Sequence, residues 1–160
     1  MASKVGIVIP AFNPDAKLLE LVIALSDKTL SDRLDVRLTL LVVNDGSFKN
    51  ESKEIFDKIK KARSAVIISQ KKNLGKGIAI KTGIKFLQQN GIETAVTIDA
   101  DGQHDTEDIL TVLRKSLDND EFVLGERLFD NHHVPLKSKV GNKLSSFLFY
   151  CFTGTKIKDT

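Results

Sequence analysis

The sequence predicts an α/β fold, a mostly parallel sheet with helices on both faces. Two observations point there. Short apolar runs rich in Val and Ile alternate with stretches of helical periodicity. A repeated β-α order also favours parallel strands joined by crossover helices. The runs are "VGIVIP" (5–10), "LTLLVV" (38–43), "AVIIS" (65–69), "TAVTI" (94–98) and "EFVLG" (121–125). They are nearly continuous in apolar residues, as strands covered on both sides are.

Each intervening stretch reads as a helix. "DAKLLELVIALSD" follows the first strand, "ESKEIFDKIKKA" the second and "GKGIAIKTGIKFLQQNG" the third, with Gly91 as its C-terminal glycine. "TEDILTVLRKSLDND" follows the fourth. There Ile109, Val112, Leu113 and Leu117 share a face, Thr106 suits the cap, and Glu107 and Asp108 suit the first turn. The spacing of Val140, Leu144, Phe147, Leu148 and Cys151 predicts one more helix.

The 160 residues suit one domain, 1–160, with a sizeable core. A net charge of +3 is too small to imply a nucleic-acid partner. Its distribution is uneven, because residues 131–160 carry five lysines against Asp159 alone. With one cysteine, Cys151, no intrachain disulfide can form, which suits a cytoplasmic setting. The first apolar run is broken by Pro10 and is too short for a signal peptide. No apolar stretch approaches the ~18 residues that span a bilayer.

In open parallel sheets, ligands bind beyond the carboxyl ends of the strands. The unusual residues of this chain gather there: "PAFNPD" (10–15), "NDGS" (44–47), "QKKNLGKG" (70–77), "DADGQH" (99–104) and "GERL" (125–128). In "DADGQH" an apolar strand runs into Asp99 and Asp101, with Gln103 next in alternation. Buried charge needs a partner, and three hard oxygen donors suit Mg²⁺ or Mn²⁺. A solvated acidic turn is the plainer alternative. A phosphohydrolase with Asp99 as nucleophile is a third, although that motif normally opens its domain. An EF-hand would put Thr97 at its first position, inside a strand.

"NDGS" is a tight turn, or a turn that offers Asp45 to a nucleobase edge. "KKNLGKG" lacks Walker spacing, so Lys76 is either a diphosphate contact or a solvated lysine at a helix start. Arg127 would meet a diphosphate bidentately, or pair with the acidic cluster.

Together, "IVIPAFN" (7–13), "VVNDGS" (42–47), "NLGKGIAIKTGI" (73–84), "TIDADGQHDTEDI" (97–109) and "VLGERL" (123–128) resemble the family 2 glycosyltransferases of the GT-A fold. "DADGQH" and the closing "GNKLSSFLFYCFTGTKIKDT" most resemble the polyprenyl-phosphate (dolichyl-phosphate-type) mannosyl- and glucosyltransferases. The resemblance implies a Rossmann-like sheet and a nucleoside-diphosphate sugar as donor, UDP- or GDP-linked. It makes Pro10, Ala11 and Asp45 the nucleoside pocket. Asp99, Asp101 and Gln103 would hold the metal, and Arg127 would approach the phosphates. Asp101 and Arg127 are then the expected catalytic pair, stabilising the departing diphosphate.

The chain departs from the family in two places. The family often carries Glu two residues after the aromatic of its first motif, where this chain has Pro14 and then Asp15. The closing "IKDT" resembles the start of a longer family segment, so the chain reads as the front of a longer enzyme. A non-catalytic fragment that binds nucleotide sugar is the alternative. A lipid phosphate as acceptor would need no strong general base, and none stands out. Four of the ten aromatics fall within 147–152. With their basic flanks they suggest either that 140–152 faces an anionic membrane surface, cytoplasmic in the full-length protein, or that the rest of the longer enzyme covers this face.

Overall fold

The computed structural model describes residues 2–102, 106–119 and 123. Chain contacts divide the protein into two compact units, Met1–Phe122 and Val123–Thr160. The first carries all the elements that follow.

Strand β1 (Ser3–Ala11) leads into α1 (Ala16–Ser26), α2 (Lys28–Leu34) and β2 (Val36–Asn44). Then come α3 (Asn50–Ala62), β3 (Val66–Ser69), α4 (Lys76–Gln89), β4 (Thr94–Thr97) and α5 (Thr106–Asn119). The strands form a parallel sheet in the order β3-β2-β1-β4. The predicted fold class is therefore observed. Of the expected fifth strand, 121–125, only Val123 is described, and it is not in a strand; the amphipathic stretch 140–152 lies outside the described residues.

The two faces of β1 divide the core. Val5, Ile7, Ile9 and Ala11 join Leu40 and Val42 of β2 beneath α1, α3 and α5. Val8 joins Leu41, Val43 and Leu87 on the side covered by α4. Alternate residues of a strand point to opposite faces, so one run supplies both cores. α4 sits very close to the sheet. A Cβ on Gly83 would come within 2.5 Å of Val8 Cγ1 and 3.1 Å of Val43 Cγ2.

Pro10 stands inside a central strand without breaking it. The carbonyl of Val8 accepts the Ile98 N–H, so even-numbered residues of β1 turn their polar groups toward β4. β4 pairs with β1 only as far as Val8–Thr97. The missing N–H of Pro10 falls on that side just past the last pair, and the ladder with β4 stops there.

The helix ends follow from local chemistry. Asp15 caps α1, its carboxylate accepting the Lys17 N–H at 2.9 Å. Gly91, just past α4, has φ +68°, the left-handed turn expected of it. The sequence reading did not anticipate α2. In that helix Arg33 forks onto the carboxylate of Glu107 in the first turn of α5, with one of the two bonds at 3.0 Å. The hydrogen bond and charge of Glu107 raise the pKa of Arg33 above its ordinary value. Among the described residues, no helix is long and apolar enough to cross a membrane.

Candidate nucleotide-sugar site

The strand order reverses between β1 and β4: β2 and β3 lie to one side of β1, and β4 to the other. In such sheets the crevice at the reversal, beyond the carboxyl ends, takes the ligand. Ala11 ends β1 on one wall of that crevice, and Asp99 follows β4 on the other.

The loops after β1 and β2 are sewn together by Asn13. Its backbone is left-handed, φ 47°, a conformation Asn tolerates better than most residues. Its side-chain carbonyl accepts the N–H groups of Phe48 at 3.0 Å and Lys49 at 3.2 Å. Its own N–H donates to Ser47 Oγ at 2.8 Å. The Ser47 N–H in turn donates to the Asn44 side chain at 2.8 Å. On this frame Phe12 and Phe48 meet edge to face, ring centroids 5.9 Å apart, and both remain exposed. The sequence reading passed over this pair. An aromatic directly after a Gly-Ser turn was the available signal.

Asp45 is buried, 2% exposed, and its N–H donates to the carbonyl of Ala11 at 2.9 Å. One carboxylate oxygen accepts the N–H of Leu74 at 2.8 Å, and the other that of Gly75 at 2.9 Å. The carboxylate therefore braces the segment that opens α4. Gly46 allows the same approach. Its φ is +70°, and a Cβ there would lie 2.3 Å from the backbone carbon of Lys72.

Gly75, φ +94°, turns the chain into α4, whose first residue is Lys76. From there Lys76 reaches Asp99, with Nζ 2.6 Å from Oδ1. The Lys76 side chain is 61% exposed and that of Asp99 31%. An added Cβ at Gly77 meets nothing within 4 Å, so packing does not require glycine in this turn.

The structure thus brings Ala11, Asp45, Lys76 and Asp99 to one edge. Ala11 is buried and Pro10 half-buried. Asp101 is exposed in the turn with Gly102, φ +69°. Gln103 and Arg127 lie outside the described residues. Among the described residues, no three His, Cys, Asp or Glu side chains converge as a metal-binding group. The donors still suit a hard divalent cation. Asp99 and Asp101 offer carboxylate oxygens, and a cationic group, the Lys76 ammonium, already sits against Asp99. Two surface clefts, of about 300 and 440 Å³, border the amino ends of the strands at the opposite edge of the sheet.

A parallel sheet with a reversal point, flanked by a helix start and an acidic turn, defines an α/β protein of the Rossmann-like class. The profile of glycosyl transferase family 2 matches residues 6–159, and the chain belongs to that family. The phosphohydrolase alternative falls with that match. An uncharacterised protein of Methanocaldococcus jannaschii is 38% identical over 144 residues, covering 88% of this chain and 58% of the relative. The UDP-N-acetylglucosamine–dolichyl-phosphate N-acetylglucosaminyltransferase of Methanococcus voltae is 31% identical over 180 residues, covering all of this chain and 68% of the relative. The chain therefore spans roughly three-fifths to two-thirds of the length of these relatives. Among solved structures, the mannosyltransferase of Pyrobaculum calidifontis in complex with GDP-Man and Mn²⁺ shares the fold. Its TM-score is 0.53 at 16% identity, over 74% of this chain and 34% of that one.

Proposed function

We propose that the chain moves a sugar from a UDP- or GDP-linked donor to a polyprenyl phosphate, with Mg²⁺ or Mn²⁺ as cofactor. The observation that carries this reading is Asp99, a half-buried carboxylate at the strand reversal, facing the start of α4. The donor and acceptor classes are supported by what the relative from Methanococcus voltae is named for. The metal is supported by the Mn²⁺ complex of the Pyrobaculum calidifontis enzyme.

In this reading Pro10 and Ala11 line the nucleoside pocket. Asp45 shapes its floor by fixing residues 74–75. Asp99 and Asp101, with Gln103 two positions on in the sequence, would hold the metal. When bound, the metal supplies Lewis-acid stabilisation of the charge growing on the leaving diphosphate. Lys76 and Arg127 add positive charge to the same phosphates. An oxygen of the acceptor phosphate forms the new bond to the anomeric carbon, the bond from that carbon to the diphosphate breaks, and the nucleoside diphosphate departs. The acceptor is anionic at neutral pH, so its attack requires no general base. Residues 140–152 would meet the membrane surface from which such a lipid is presented.

Asp101→Asn tests the reading. Asp101 is exposed at the edge of the core, so the variant should fold. Calorimetry with UDP- and GDP-sugars should show Mn²⁺-dependent donor binding in the parent and its loss in the variant. Unchanged Mn²⁺-dependent affinity in the folded variant would remove Asp101 from the metal site.

A further inference from the structure

The contact between Lys76 and Asp99 has a chemical consequence for how ligands enter. A half-buried carboxylate is stabilised by a nearby positive charge, and here that charge is an exposed, flexible ammonium. The two ends of the Lys76 side chain differ sharply in freedom. Its backbone is fixed by the left-handed turn at Gly75 and by the Asp45 carboxylate, which grips the two preceding N–H groups. Its tip is held by one exposed ion pair, an interaction worth little in water.

We propose that Lys76 is a placeholder for the metal at Asp99 and hands that carboxylate over when the donor arrives. This rests on the metal reading above. A divalent cation coordinating Asp99 directly outcompetes an exposed ammonium. The displaced ammonium stays tethered beside the first turn of α4, where the helix dipole also favours an anion. The donor diphosphate brings the negative charge that the ammonium has just lost. Metal and diphosphate therefore favour each other's binding, with Lys76 as the coupling element.

The handover makes two opposite demands on one side chain, and a single substitution reads both. Lys76→Met keeps the aliphatic stem and removes the charge. Mn²⁺ titration followed by electron paramagnetic resonance should show the variant binding Mn²⁺ alone roughly 2- to 5-fold more tightly than the parent, because the competitor is gone. Calorimetry in saturating Mn²⁺ should show UDP and GDP binding about 10-fold more weakly to the variant. Lys76→Arg, which keeps the charge, should stay near the parent in both. A Mn²⁺ affinity at or below the parent's, or unchanged diphosphate affinity, overturns the handover. Asp99→Asn separates this failure from failure of the metal reading. If Asp99→Asn binds Mn²⁺ as well as the parent, the metal reading and the handover both fall. If it loses Mn²⁺ while Lys76→Met matches the parent, only the handover falls.

Discussion

Asp45→Asn is expected to destabilise the protein by about 2–3 kcal/mol, a large effect for one atom exchanged. The carboxylate accepts two backbone N–H groups, one on each oxygen. An amide in its place has one oxygen, and its NH₂ would face a second donor. One N–H of the 74–75 pair loses its partner beside a buried side chain. Urea unfolding reads the loss, and faster hydrogen exchange at Leu74 and Gly75 locates it. Nucleoside diphosphate should also bind more weakly without metal, because the pocket floor has loosened. Exchange at those two amides unchanged from the parent would mean that the brace contributes nothing, leaving any nucleotide effect to a direct contact with the base.

Gly46→Ala should cost about 3 kcal/mol through two separate penalties. A φ of +70° is unfavourable for any L residue with a side chain, by about 1–2 kcal/mol. The new Cβ also meets the backbone at Lys72 and Asn73, which cannot rotate aside, and overpacking of that kind adds about 1–3 kcal/mol. Gly77→Ala is the matched control. Open space surrounds that position, and alanine suits a helix better than glycine, so stability should hold or rise by up to about 1 kcal/mol. Equal thermal midpoints for the two variants would refute the close approach of the two loops at Gly46.

Much of this architecture is legible in the letters. "VGIVIP", "LTLLVV" and "TAVTI" announce strands because a doubly covered strand must be apolar at nearly every position. The strands run slightly differently from the apolar blocks: β1 starts at exposed Ser3, because ladder hydrogen bonds continue past the buried residues, and β2 starts at buried Val36, which exposed Arg37 separates from the apolar block. α2 escaped notice because seven residues hold only Leu30 and Leu34 as a stripe, too little periodicity to register.

The site divides in the same way. Its acids and lysine were visible as residues stranded at strand ends. Their partners were not, because those depend on topology. Lys76 follows β3 and Asp99 follows β4, strands at opposite margins of the sheet formed by the described residues. Only the path of α4 across β2 and β1 carries one to the other. The role of Asp45 was hidden for a related reason. Its partners are backbone amides about thirty positions away, and backbone groups leave no mark in a sequence.

The division of the core between two faces of one strand also bears on how the chain is born. Once β1 and β2 have left the ribosome they can pair, and α1 and α3 soon follow to shelter the side that holds Ile7, Ile9 and Val42. The reverse side, with Val8, Leu41 and Val43, has no lid until α4 is synthesised, starting at Lys76. At typical translation speeds that interval lasts a few seconds. For that time the nascent protein shows an oily strip to its surroundings. Early life on the ribosome, rather than the finished fold, is when this sequence most invites a chaperone or a misplaced neighbour.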